Sequence, residues 1–130
     1  MGDRTGEATT LNNIGAAYNS ISQPQEALKY FNQALSISRE VGDRRGEAAT
    51  LSNIGAVYNS ISQPQEALKY FNQALPISRE VGDRDGEAAT LNNIGGVYDD
   101  ISEPQEALKY YNQVLPITRE VGDRAGEASK

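Results

Sequence analysis

The sequence predicts an all-α fold, an α-solenoid of three stacked helical hairpins followed by a truncated seventh helix. Three observations carry this. First, residues 2–41, 42–81 and 82–121 are copies of one unit, the first two differing only at Thr5/Arg45, Thr9/Ala49, Asn12/Ser52, Ala17/Val57 and Ser36/Pro76. A fixed period of this length reports units that stack in a line and reuse one backbone solution. Second, apolar and small residues recur twice per unit at the three-and-four spacing of a helical stripe. Third, the stripes are separated only by a short break such as Ser22-Gln23-Pro24, which leaves neighbouring helices antiparallel. Residues 1–130 are therefore expected to form one array, in which 122–130 repeat the start of the unit and open an incomplete fourth one.

The first helix of a unit is expected over about Arg4 to Ser20, where Ala8, Leu11, Ile14, Gly15, Tyr18 and Ile21 form the stripe. Asp3 stands where an N-cap oxygen accepts free backbone N–H groups of the first turn, and Glu7 places negative charge near the positive end of the helix dipole. Pro24 suits the first turn of a second helix, with Ser22 or Gln23 as its cap. That helix is expected to reach about Glu40, with Ala27, Leu28, Phe31, Ala34, Leu35 and Ser38 on one stripe and Tyr30 and Ile37 widening it. An arc this wide can touch both its own partner helix and the first helix of the next unit. Gly42 then suits a left-handed helix end, and Asp43 caps the next helix, so Val-Gly-Asp-Arg reads as the joint between units. Pro76 and Pro116 fall inside the second helices of units two and three, where each removes a ladder hydrogen bond and is expected to kink the helix.

Composition narrows the function. The formal net charge is −6 and there is no His, so a role that needs a basic face toward phosphates is disfavoured and nucleic acid is not an expected partner. The absence of Cys removes disulfides and thiolate chemistry and fits a reducing compartment. No apolar run is long enough to cross a bilayer, and Met1-Gly2-Asp3-Arg4-Thr5-Gly6 offers neither a signal core nor a myristoylation site. A cytoplasmic chain without a membrane partner is expected. The Ser residues have no evident base partner, and carboxylates such as Asp43 and Glu47 are accounted for by capping, so no enzyme activity is expected. Asp99, Asp100 and Glu103 lack the spacing of a calcium loop, and the Asn-Ile-Gly glycines lie mid-helix rather than in a phosphate loop. No cofactor or metal is expected; close helix packing explains the glycines.

The pattern Leu-x2-Ile-Gly-x2-Tyr followed by Ala-x3-Phe resembles the tetratricopeptide repeat. It is carried by Leu11, Ile14, Gly15, Tyr18, Ala27, Phe31 and Ala34, and again by Leu51, Ile54, Gly55, Tyr58, Ala67, Phe71 and Ala74. Unit three keeps Leu91, Ile94, Gly95, Tyr98 and Ala107 but has Tyr111 and Val114 at the last two positions. The unit is six residues longer than the family's usual repeat of about 34, and Arg39, Arg79 and Arg119 stand where the family has a helix-ending Pro. In its length and its Asn-Ile-Gly and Gly-Asp-Arg phrases it looks like the long repeats of kinesin light chains and of many cyanobacterial multidomain proteins.

The resemblance implies a right-handed superhelix whose first helices line a concave groove that holds an extended peptide or a partner helix. With the packing stripe removed, Thr9, Asn12, Asn13, Ala16, Asn19 and Ser20 are left for that face in unit one, and Ala49, Ser52, Asn53, Ala56, Asn59 and Ser60 in unit two. Asn13, Asn53 and Asn93 would be rungs of an amide ladder able to grip a peptide backbone, each amide offering two donors and an acceptor. Asn92 extends the set, and Asp99 with its neighbours makes the third unit acidic, favouring a basic partner segment. The face brings no Lys or Arg at Asn12, Ala16 and their equivalents, which disfavours a clamp for a terminal carboxylate. The alternative is a structural spacer or self-assembling stack. Its motive is the flank of the last second helix, Tyr110, Leu115 and Ile117, which has no completed helix after it and is expected to be covered by another copy.

Overall fold

The computed structural model describes residues 3–128, with side chains to residue 122. Six helices follow in order: α1 (Arg4–Ser20), α2 (Pro24–Val41), α3 (Arg44–Ser60), α4 (Pro64–Glu80), α5 (Arg84–Asp100) and α6 (Pro104–Ala128). There is no strand among the described residues.

Each start has a local cause. The Asp3, Asp43 and Asp83 carboxylates accept the N–H of Gly6, Gly46 and Gly86 at 2.9, 3.0 and 3.0 Å, satisfying donors that the first turn leaves free. Pro24 and Pro64 occupy the first turn of α2 and α4, as expected, but Gln23 and Gln63 before them make no side-chain cap bond. The turn is instead closed from the preceding helix. Ser22 has φ 61°, and Gln23 N–H reaches Tyr18 C=O at 2.9 Å, a Schellman closure repeated at Ser62 and Ser102. Gly42 and Gly82 perform the same task between units with φ of 73° and 70°. α4 and α6 run through Pro76 and Pro116. Both prolines are exposed, as are Asn72 and Asn112 one turn earlier, whose carbonyls lose their usual ladder partner.

Hairpin packing is tight where the two helices of a unit cross. A Cβ placed on Gly15, Gly55 or Gly95 would stand 2.7, 2.8 or 2.6 Å from the ring of Phe31, Phe71 or Tyr111, so only glycine admits the ring there. Tyr18 and Tyr30 stack at 5.5 Å, and Tyr58–Tyr70 and Tyr98–Tyr110 repeat the pair. Arg4–Glu40, Arg44–Glu80 and Arg84–Glu120 tie each hairpin at its open end.

Between units, the second helix of one hairpin packs on the first of the next. Leu28 and Leu35 of α2 share a core cluster with Leu51, Ile54 and Val57 of α3, and Leu75 of α4 does so with Leu91, Ile94 and Val97 of α5. Glu47 and Glu87 are buried at these joints, each held by an Arg of the preceding helix: Arg39 at 3.0 Å and Arg79 at 2.9 Å. Arg44 and Arg84 bind the same two carboxylates from the other side.

Among the described residues the expected seventh helix is not a separate element. α6 passes Gly122 without the positive φ of Gly42 and Gly82 and continues to Ala128. Extending a helix adds a hydrogen bond per residue fixed, whereas starting a new one requires a costly first turn. At Gly42 and Gly82 the cost of that turn is offset by a full helix buried on the preceding hairpin. Ser129 and Lys130, the end of the expected fourth-unit start, lie outside the described residues.

Candidate binding groove

Because the hairpins stack in register, α1, α3 and α5 lie side by side and present one face of each to a common surface. On α3 this face is Ala49, Ser52, Asn53 and Ala56, the spacing of a single helical stripe. Between α3 and α5 the surface dips into an open cleft of about 290 Å³ lined by these residues together with Ala89 and Asn93. The alanines keep the walls of the cleft low. Asn53 is half-buried and Asn93 exposed, and neither side chain has a hydrogen-bond partner among the described residues. Asn13, in the equivalent position on α1, is exposed and equally unpaired but lies outside that cleft.

The other expected binding residues are distributed differently. Asn12 turns into the joint: its Nδ2 donates to Thr50 Oγ1 at 2.9 Å and its Oδ1 lies 3.2 Å from the same hydroxyl, so its amide joins units. Thr50 is completely buried, and a buried hydroxyl without a partner is costly, which accounts for the diversion. Ser52 and Thr90 repeat the contact at 3.1 Å. Asn92 is exposed with no such partner among the described residues.

Asn19 and Asn59 sit near the hairpin turns in two separate clefts. One holds Asn19 with Ser22, Pro24, Ser60 and Ile61; the other holds Asn59 with Ser62, Pro64, Asp100 and Ile101. Asn59 Nδ2 donates to Asp100 Oδ2 at 3.4 Å. Asp99 is exposed, and together with burial and Asp100 its charge pushes the Tyr111 hydroxyl pKa upward, burial being the largest cause. Helical periodicity does not reveal these clefts between turns; Ile61 and Ile101, apolar residues placed at the turns and lining them, are the signal for them.

Of the residues expected to form an apolar end patch, only Leu115 is exposed, at 49 %. Ile117 is 4 % exposed in the core of the third hairpin, as Ile37 and Ile77 are in theirs, because this position faces the unit's own first helix. Tyr110 is half-buried against Tyr98. The exposed partner of Leu115 is Leu108, at 55 %.

No group of His, Cys, Asp and Glu residues among the described residues is arranged to hold a metal ion, and no helix there is long and apolar enough to cross a membrane.

The family model for the tetratricopeptide repeat matches residues 6–80 and again residues 46–120. The chain belongs to the tetratricopeptide repeat family. Solved tetratricopeptide repeat structures share its fold. The TPR domain of Arabidopsis FLU superposes with a TM-score of 0.82 at 20 % identity, covering 90 % of this chain and 98 % of that one. A Rap protein solved in complex with competence and sporulation factor gives 0.83 at 20 % identity, over 90 % of this chain and 32 % of its own. The nearly identical TPR-like repeats of a Podospora anserina kinesin light chain give 0.72 at 20 % identity, over 89 % and 57 %. At these identities the likeness speaks for the fold alone. No curated protein matches the chain by sequence search.

Proposed function

We propose that the array is a non-catalytic protein-interaction module that holds an extended peptide or a partner helix along α1, α3 and α5, on the concave face of a right-handed superhelix. The observation that carries this reading is the cleft between α3 and α5, where Asn53 and Asn93 stand over alanines with their amides uncommitted. An amide in that state can donate to and accept from a peptide backbone whatever its side chains, which suits recognition of an extended segment. Asn13 continues the ladder on α1, and Asn92 stands beside Asn93. Asn19 and Asn59 serve the clefts at the hairpin turns. Asp99, Asp100 and Glu103 bias the third unit toward a basic segment. The Rap protein solved with competence and sporulation factor lends the reading support by likeness of fold. The partner is proposed to be a cytoplasmic protein; the net charge of −6 speaks against nucleic acid and against anionic membrane surfaces.

A peptide array probed with the wild-type chain and with the Asn13→Ala/Asn53→Ala/Asn93→Ala variant tests the ladder. Peptides bound by the wild type should lose at least about tenfold in affinity in the variant. Equal binding by both proteins would remove the ladder from the mechanism.

A further inference from the structure

The two ends of the array are the separated halves of an interface that the molecule already makes twice. At the first internal joint Leu28 and Leu35 are 8 % and 6 % exposed, because α3 covers them, and at the second Leu68 is half-buried and Leu75 8 % exposed under α5. Their equivalents on α6, Leu108 and Leu115, are 55 % and 49 % exposed. On the facing side, Leu51, Ile54 and Val57 of α3 are fully buried, while their α1 counterparts Leu11 and Ile14 are half-buried and Ala17 is exposed. The polar contacts are divided in the same way. Asn12 and Ser52 bind Thr50 and Thr90 across the internal joints, whereas Asn92 at one end and Thr10 at the other are exposed. Arg39 and Arg79 bind Glu47 and Glu87 across those joints, whereas Arg119 is unpaired among the described residues and Glu7 is exposed with only Arg4 as partner.

We infer that a second copy of this chain docks head to tail, its α1 packing on α6 as α3 packs on α2 and α5 on α4. Leu108 and Leu115 would then be covered by Leu11, Ile14 and Ala17 of the neighbour, Asn92 would meet Thr10, and Arg119 would meet Glu7. A second copy is favoured over an unrelated partner because the apolar, amide–hydroxyl and ion-pair contacts all have their complements on the opposite end of the same molecule. The interface is heterologous, so each added copy leaves one free face of each kind, and assembly continues as an extended superhelix instead of stopping at a dimer. This association leaves Asn53, Asn93 and the cleft between α3 and α5 untouched, while Asn92, beside the ladder, is engaged at the interface.

Sedimentation or light scattering of the 130-residue chain from micromolar to millimolar concentration is the first test. The average mass should rise above the 14.1 kDa of one chain without levelling at twice that value. Leu108→Glu/Leu115→Glu blocks the α6 face and Ala17→Glu blocks the α1 face. All three positions are exposed, so circular dichroism should show unchanged helix content. Each variant alone should stay at 14.1 kDa where the wild type has assembled, with association weakened at least about tenfold. An equimolar mixture of the two should form a species of twice the chain mass and nothing larger, since one good face of each kind remains. A wild type that stays monomeric throughout overturns the inference. So does an Ala17→Glu variant that dimerises as well as the wild type, because this would mean a symmetric α6–α6 contact.

Discussion

Asn12 and Thr50 are 38 positions apart in sequence and share a two-way contact between α1 and α3, Nδ2 to Oγ1 at 2.9 Å and Oγ1 to Oδ1 at 3.2 Å. Thr50 is fully buried, so the contact satisfies a hydroxyl that water cannot reach. Asn12→Ala should therefore lower unfolding stability by about 1–3 kcal/mol, even though Asn12 lies on the groove side of α1. Urea denaturation checks this. A loss within error of zero would mean that Thr50 finds a backbone acceptor unaided.

Gly95 and Gly96 are adjacent and should respond in opposite directions. A Cβ on Gly95 would meet the Tyr111 ring at 2.6 Å, while one on Gly96 would have only the Tyr111 hydroxyl near it, at 3.9 Å. Gly95→Ala should cost about 1–3 kcal/mol by forcing the hairpin apart. Gly96→Ala restores the residue found at positions 16 and 56 and should add up to about 1 kcal/mol from helix propensity. Paired thermal melts of the two variants decide whether packing or propensity governs each site.

Ser22, Ser62 and Ser102 hold φ between 61° and 63° in turns that glycine would fill without a Cβ penalty. Ser62→Gly should stabilise the chain by about 0.5–1 kcal/mol, the left-handed strain relieved exceeding the extra entropy lost by glycine on folding. The three substitutions are far apart in sequence and should add, which a cumulative series of melting temperatures would show. A fall in melting temperature on the first change would mean that the hydroxyl contributes to the turn.

Stability should be flat over the middle of the pH range, from about pH 6 to 9, since the chain has no His. On the acid side, the hydrogen bond from Arg44 and then its charge hold the Glu80 carboxyl below its ordinary value of 4.5. A depressed carboxylate pKa stabilises the fold above the unfolded value, and the contribution is lost as pH falls through the folded one. On the alkaline side, burial, followed by the neighbouring Tyr70 and Glu66, raises the Tyr58 hydroxyl above its ordinary 10.0. Tyr98 is raised in the same way, burial first and Tyr110 next. Their contribution is complete below pH 10.0 and is lost as pH rises toward the raised values. Chemical denaturation at fixed pH, followed in parallel with tyrosinate absorbance, should show unfolding free energy falling only at the two extremes.

Much of the fold was legible because the unit is short, nearly identical in each copy and punctuated by residues with one strong local preference. Asp3 as a cap, Pro24 as a first-turn residue and Gly42 as a left-handed end each act within a few residues of themselves, where sequence spacing is a faithful guide to distance. The groove was legible only in part. Helical periodicity separates Leu51 and Ile54 from Asn53, because that separation depends on rotation about a single axis. It does not assign different tasks to Asn12 and Asn13: both are polar and lie off the apolar stripe, and only the Thr50 hydroxyl that α3 places opposite Asn12 draws that amide into the joint while Asn13 faces solvent.

The helices, the hairpins and the stacking of three equivalent units can be read from the residues, since all of these come from local capping and a repeated apolar stripe. Which polar residues are engaged at the joints, that Ile117 is core while Leu108 and Leu115 are exposed, and that α6 runs on past Gly122 emerge only from the packed stack. One cause underlies all three. Whether a side chain is covered, or a turn repaid, depends on what the neighbouring unit places opposite it, and that is a property of the stack rather than of any one repeat.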